Sequence, residues 1–305
     1  MGQVLQKALG CICAIVLGYV LKRVGFFRPS EKDTIKKITM NITLPAAVIT
    51  SFAGFQPQAQ LYWLIALGLG ANLLFIGIGL LISRKKDRET QAFYMLNCSG
   101  YNIGAFTMPF VQNFLGTFGM VITCLFDMGN AVMCTGGTFA LACARTGKTK
   151  ATVKSIAKTL FSSGPFDAYC VMIIIAVFGI QLPEALTSIT GFIGNANGFL
   201  AMLMIGMMFE MQFQPQHLKQ AGLVLAVRLI GAGALAALCY YVMPFALEIR
   251  RVLVLLCFAP VTTLSPVFTG QAGGNEGLSS FTASLSILIS IVIMTVLVVS
   301  MGLGG

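Results

Sequence analysis

Charge is what this chain has least of. Lysine, arginine, aspartate and glutamate make up 10% of its residues, where a soluble domain averages about 25%. Acids are the scarcer sign, 10 against 20 basic residues, for a formal net charge of +10. Histidine occurs once, as His217. The nine cysteines (Cys11, Cys13, Cys98, Cys124, Cys134, Cys143, Cys170, Cys239 and Cys257) contain no Cys-x-x-Cys pair. A zinc or iron–sulfur centre needs clustered ligands, so no metal or other cofactor is expected. The cysteines sit in or beside apolar runs and read as small hydrophobes. Intramembrane hydrolysis also lacks its groups. An aspartyl protease needs two facing aspartates, and only Asp127 lies deep in an apolar segment; a serine–histidine enzyme needs a buried histidine, and His217 falls in a loop. The chain is not expected to be an enzyme. The first apolar run, 4–21, lacks a small-residue cleavage pattern and is followed by Lys22-Arg23, so it reads as a spanning helix rather than a signal peptide. Gln6 stands where a myristoylation start has Ser or Thr.

What is abundant is apolar length. Hydrophobic residues make up 57% of the chain, and runs of about 18 residues, the length a bilayer core demands, recur throughout. The expected fold is an all-α polytopic membrane protein with ten transmembrane helices at 4–21, 35–55, 61–82, 91–111, 119–143, 166–182, 186–209, 218–243, 252–272 and 278–301. Basic residues cluster in alternate loops: Lys22 to Lys37, Arg84 to Arg88, and Arg145 to Lys158, the last including Lys148, Lys150 and Lys154. The intervening loops at 56–60, 112–118 and 181–184 carry none. This bias places the basic loops in the cytoplasm and both termini on the extracytoplasmic side of the cell membrane. The basic excess thus reports orientation in a lipid bilayer, with no nucleic-acid partner. Tyr62-Trp63 and Tyr240-Tyr241 fall at the outer interface, and Arg250-Arg251 is the one cluster on the wrong side.

One run departs from the apolar pattern. Residues 97–109, N-C-S-G-Y-N-I-G-A-F-T-M-P, carry Asn97, Ser99, Asn102 and Thr107 with Gly100, Gly104 and Pro109 inside a spanning segment. Irregular backbone survives in hydrocarbon only where protein or a wet cavity shields it. A proline-kinked helix bonded to its neighbours would account for the run; so would a binding site built on a broken helix. In the second half, T-M-P-F-V (107–111) aligns with L-S-P-V-F (264–268), which places Pro109 on Pro266 and Gly116 on Gly273. Both segments are the fourth helix of a five-helix half, and an odd count per half makes the halves inverted repeats. The halves are 1–143 and 166–305, joined by a basic linker at 144–165. The ninth helix is interrupted by Pro260 and Pro266, with Thr262, Thr263 and Ser265 between them. Broken fourth and ninth helices that cross would aim two positive N-terminal ends at one point, which suits an anion.

These residues resemble the auxin efflux carrier family of membrane transporters, bacterial type. The fourth-helix pattern N-x-G-x-x-G-L-P is met by Asn102, Gly104 and Met108-Pro109, with Thr107 in place of the second glycine. L-P-A of the second helix is Leu44-Pro45-Ala46, F-D-x-G-N of the fifth is Phe126, Asp127, Gly129 and Asn130, the ninth-helix proline is Pro260, and the eighth-helix basic residue is Arg228. Phe199 departs from the proline usual in the seventh helix. The resemblance implies a fold similar to bile-acid/sodium symporters, with a scaffold of helices 1, 2, 6 and 7 and a mobile core of helices 3–5 and 8–10. It also implies small organic anions (carboxylates) as substrates, elevator-type alternating access, and homodimers.

The expected function is secondary active transport of a small organic anion, bound at the helix 4/9 crossover by Asn102, Gly104, Thr107, Pro109, Pro260, Thr262, Thr263, Ser265 and Pro266. Asp127, Asn130 and Arg228 are the polar residues of the core. Asp127 either carries a coupling ion, H+ or Na+, or braces the broken helices; Arg228 is either a substrate counter-ion or a packing charge. Asn195 and Asn197 read as interhelical bonding groups, and Gly68, Gly70, Gly77 and Gly79 as close helix packing. A sodium-coupled symporter of the bile-acid type would need further oxygen ligands, for which Gln271, Asn275 and Glu276 are available. A membrane anion sensor that binds without transporting is the reading outside transport.

Overall fold

The computed structural model describes residues 2–28, 30–147, 152–209 and 215–303, so Glu210, Lys148 and Lys150 lie outside the described residues. Their regular structure is helical, with no strand beyond one isolated bridge. In chain order, α1 (Gly2–Arg23) precedes α2 (Glu31–Ile38), which passes through a π-helical turn at Thr39–Thr43 into α3 (Leu44–Phe52). Next come α4 (Trp63–Ser83) and α5 (Arg88–Cys98). A second π-turn at Ile103–Thr107 opens α6 (Met108–Val132), and a third at Met133–Gly137 leads into α7 (Thr138–Thr146). The second half runs through α8 (Val153–Leu160), α9 (Gly164–Val177), α10 (Glu184–Asn195), α11 (Asn197–Met208), α12 (Leu218–Tyr241), α13 (Leu247–Cys257), α14 (Ser265–Gln271) and α15 (Glu276–Ser300).

Six helical runs among the described residues are long and apolar enough to cross a membrane: Leu5–Arg23, Ala59–Ser83, Ile103–Thr146, Glu184–Met208, Pro215–Tyr241 and Glu276–Ser300. A seventh appears if α8 and α9, bent by 81°, count as one. The other expected spans are assembled from shorter pieces, for physical reasons. Pro45 stands in the first turn of α3, Pro109 in that of α6 and Pro266 in that of α14. A proline fits there because its missing N–H would be unpaired anyway, whereas mid-helix it breaks the ladder. The Ile103–Thr146 run is itself kinked. Gly116 adopts φ 61°, ψ −154°, a conformation open in practice only to glycine. The basic end of α5 is fixed by Asp87, whose carboxylate accepts the Thr90 hydroxyl (2.7 Å) and amide (2.8 Å); these bonds hold Asp87 below the usual carboxylate range.

The surface is apolar where lipid would lie. Phe192 is 84% exposed and Ile230 75%, and Trp63 and Tyr241 project from helix ends. Inside, two groups of helices share a continuous apolar core. In one, α1 lies on α11, and α3 on α9 and α10; in the other, α4 lies on α5 and α6, α12 on α13 and α15, and α14 on α15 and α5. The groups meet chiefly where α6 touches α3 and α11. Close crossings are made by glycine. A Cβ on Gly68 would collide with the Phe126 carbonyl and one on Gly129 with the Ile65 carbonyl, so α4 and α6 touch backbone to backbone. Gly79 packs likewise on Tyr94, whereas Gly70 and Gly77 face open space, so the packing reading holds for only two of the four glycines of α4.

The α4/α6 contact therefore sets an expectation. Gly129→Leu should force these helices apart and yield protein that aggregates or melts several degrees lower in detergent. Gly70→Leu, with nothing within 4 Å, should behave as wild type in the same size-exclusion and melting assays.

Candidate functional site

The interrupted helices meet at their interruptions. α5 stops at Cys98, the chain turns through Gly100 (φ 74°), and Tyr101 pairs antiparallel with Val261 in the gap between α13 and α14. The Asn102 N–H donates to the Pro260 carbonyl at 2.9 Å. Each gap thus supplies backbone partners for the other, which hydrocarbon cannot do. Hydroxyl groups complete the arrangement. Ser265 donates to the Leu96 carbonyl at the end of α5 (2.7 Å), Ser286 accepts the Val261 N–H (3.0 Å), and Thr107 donates to the Asn102 carbonyl (3.0 Å).

Arg228 closes the remaining deficit. Its guanidinium donates to the carbonyls of Cys98 (2.8 Å), Ser99 (3.0 Å), Gly100 (3.1 Å) and Ala259 (2.9 Å), and lies over the Tyr101 ring at 5.2 Å. These carbonyls close α5 and follow the end of α13, the negative poles of two helices, where a cation is favoured. Both terminal nitrogens of Arg228 are thus turned to backbone carbonyls.

On the other flank, the Asn130 side chain treats Tyr101 as a strand treats its neighbour. Its Oδ1 accepts the Tyr101 N–H (3.1 Å) and its Nδ2 donates to the Tyr101 carbonyl (3.0 Å). Asn72 donates to the same Oδ1 (3.1 Å) and accepts the Gly100 N–H (2.8 Å). Asn130 Nδ2 also donates to Asp127 (2.7 Å), whose other carboxylate oxygen accepts the Tyr169 hydroxyl at 3.3 Å. Asp127 is 7% exposed. That small exposure matters, because it faces a cavity.

The cavity, of about 400 Å³, lies between the crossing and α9. Its inner wall comprises residues 101–105, 262–264, Asp127, Asn130, Cys134 and Tyr169, and its mouth has Lys36, Asn41, Thr159, Ser162 and Ser163. The mouth therefore opens at the end of the molecule that carries the basic loops. Among the described residues the Asn102 carboxamide makes no side-chain hydrogen bond, although it is only 5% exposed. Its donors and acceptor are thus available to a bound molecule.

Of the residues expected at a binding site, Asn102, Gly104, Thr262, Thr263, Asp127 and Asn130 line this cavity. The others do not. Thr107 and Ser265 turn their hydroxyls to backbone carbonyls, Pro109 and Pro266 sit in first helical turns, Pro260 lends its carbonyl to Asn102, and Arg228 lies behind the crossing. Gln271, Asn275 and Glu276 lie beyond α14 and do not reach the cavity; Asn275 caps α15 through the Leu278 N–H (2.8 Å). Asn197 bonds Gln112 (2.9 Å) and Thr43 (3.2 Å), as interhelical bonding predicts, whereas Asn195 is exposed. Asn72 and Tyr169 were not expected. Asn72 could have been flagged as the only Asn, Asp, Glu or Gln within 61–82.

Comparisons with known proteins point the same way. The family described as "Membrane transport protein" matches residues 3–163. A protein described as an uncharacterized transporter, from Methanothermobacter thermautotrophicus, is 23% identical over 291 residues, which cover 94% of this chain and 95% of that protein.

The buried guanidinium gives the site its own test. Arg228→Met leaves several carbonyls without donors and should cost about 3 kcal/mol or more, visible as a large fall in melting temperature. Arg228→Lys, with fewer donors and no planar fork, should recover only part of the loss. A melting curve of Arg228→Met equal to wild type would refute the clamp.

Proposed function

The chain belongs to the membrane transport protein family, the auxin efflux carriers that its fourth-helix motif resembles, and from that premise we propose that it is a secondary active transporter of small organic anions, carboxylates in particular. The observation that carries this reading is the asymmetry of the crossing. Arg228 occupies the carbonyl ends of the broken helices, while residues 103–105, which open the helix leading into α6, face the cavity. The first N–H groups of a helix have no intrahelical partners and carry the positive end of its dipole. A carboxylate placed there would take the N–H groups of 104 and 105, the Asn102 carboxamide and the hydroxyls of Thr262 and Thr263, the Ile103 N–H being held by the Tyr101 carbonyl at 2.9 Å.

The transport cycle we infer is of the elevator type. Ten membrane crossings, as two inverted five-helix repeats, accommodate the short helices if α2 with α3, α5 with the start of α6, α9, and α13 with α14 each count as one. The repeat is supported by two matched details: Pro109 and Pro266 both open half-helices, and Gly116 and Gly273 both take positive φ, 61° and 88°. The group holding α1, α3, α9, α10 and α11 would be the scaffold, and the group holding α4–α7 and α12–α15 the moving core. The cavity lies along their boundary and opens at the basic end, which would be the cytoplasmic side of the cell membrane, with both termini outside. A dimer would form through the scaffold.

Asp127 fits a proton-coupled cycle better than a sodium-coupled one. A substrate carboxylate and Asp127 share one poorly solvated cavity, and two like charges there disfavour one another. The substrate would bind best when Asp127 is protonated, and would carry that proton across. None of the residues available for a separate sodium site lines the cavity.

A thermal-shift screen of mono- and dicarboxylates, with and without sodium, followed by flux of the best ligand in proteoliposomes, tests the reading. Asn102→Ala and Pro260→Ala should fold and reduce flux at least about tenfold (about 1.4 kcal/mol); full transport by both would sink the crossover site. Ligand binding without flux by wild type would identify a sensor instead. For coupling, wild-type affinity should rise as pH falls, whereas Asp127→Asn, a permanent mimic of the protonated acid, should bind independently of pH and lose proton-driven accumulation. Unchanged pH-driven accumulation would assign Asp127 to bracing alone.

A further inference from the structure

A second cavity, of about 480 Å³, lies at the opposite end of the molecule from Lys36, among α1, the Gly116 kink of α6, the first turns of α13 and the end of α15. Its charged lining is Lys7, Arg251 and Glu248, one acid against two cations. Arg251 makes no hydrogen bond or ion pair among the described residues, and its Nε is buried without a partner. Arg251 is half-buried, with its Nε shut away and its terminal nitrogens open to the cavity side, so an oxygen-rich anion would complement it. The rest of the lining is apolar, including Phe114, Leu115, Phe118 and Leu303. Beside Lys7, Leu5 and Leu9 of α1 are 56% and 51% exposed, an apolar face continuous with the cavity that suits acyl chains.

We propose that this cavity binds the phosphate group of an anionic phospholipid, with Arg251 as the planar donor, Lys7 as the second cation, and the acyl chains against the apolar lining and α1. A phosphodiester monoanion matches the guanidinium fork, and a lipid supplies the apolar part that a free ion lacks. The site is independent of the transport reading. It also accounts for Arg250-Arg251, the one basic cluster that defies the loop bias: an arginine satisfied by a lipid headgroup is retained at the outer interface for binding, not for orientation.

The test is a thermal-shift titration of the purified full chain with short-chain phosphatidylglycerol, short-chain phosphatidylcholine and inorganic phosphate. It uses wild type, Arg251→Gln, Arg251→Lys, Lys7→Gln and, as a control at the other end, Lys85→Gln. Phosphatidylglycerol should stabilise wild type and Lys85→Gln saturably, with an affinity lowered roughly fivefold or more by Arg251→Gln and less by Arg251→Lys; phosphatidylcholine should do little. Equal titration of wild type and Arg251→Gln, or equal response to the two lipids, overturns the site. If inorganic phosphate reproduces the shift with the same dependence on Arg251, the ligand is a soluble ion and the lipid assignment fails. Should Arg251→Gln not fold, Arg251→Lys and Lys7→Gln decide, and wild-type affinity in both rejects the proposal.

Discussion

A helix interrupted inside a bilayer strands backbone groups that no solvent will satisfy, and everything at the centre of this molecule answers that single problem. The answer is divided by polarity. Stranded carbonyls are gathered onto one guanidinium, Arg228. Stranded N–H groups are met by carboxamides, Asn72 at Gly100 and Asn130 at Tyr101, and by a carbonyl of the other gap, Pro260 at Asn102. Of the residues that open the following helix, Ile103 gives its N–H to the Tyr101 carbonyl (2.9 Å), while Gly104 and Ala105 line the cavity. An anion bound at that helix start would owe its place to how the backbone is satisfied, since the inner wall of the cavity carries no lysine or arginine among the described residues.

Bracing and binding share residues, which limits how either can change. Asn130 holds both backbone groups of Tyr101 and also donates to Asp127, so a change in the charge of Asp127 is felt one bond away from the crossing. Tyr169 connects Asp127 to α9, and with it to the other group of helices. The Met108 sulfur lies 3.1 Å from the same hydroxyl. A proton on Asp127 would alter the bonds that tie the two groups together.

Much of this was legible in the residues. Long apolar runs and scarce charge give an all-helical membrane protein, and a cluster of Gly, Pro and Asn inside such a run marks a break. The cavity-lining set was half legible: Asn102, Gly104, Thr262 and Thr263 were expected and line it, but so were Thr107 and Ser265, which do not. A hydroxyl beside a helix start can turn inward to a carbonyl or outward to a ligand, and composition does not distinguish the two. Arg228 was open for the same reason, since its acceptors come from residues 98–100 and from residue 259, contacts that only the fold brings together. Asn97 is similar: it bonds Ser279 (2.6 Å) and Thr269 (3.1 Å) more than 170 residues away. The breaks at Pro109 and Pro266 were expected, whereas the π-helical turn before Pro45 was not, because a hydropathy window averages over a break that the backbone cannot.

The Tyr101–Val261 bridge has a consequence for how the chain is made. The partners of the first gap lie at residues 228 and 259–261, so during synthesis the first half reaches the membrane with its break incomplete. For that interval its bracing comes from its own half, with Asn72 at Gly100, Asn130 at Tyr101 and Thr107 at Asn102. Contacts of such long sequence separation form late and leave aggregation-prone intermediates behind them. The carboxamides flanking Tyr101 therefore serve in time as well as in space: they are the scaffolding that keeps a half-built crossing in the bilayer until its other half arrives.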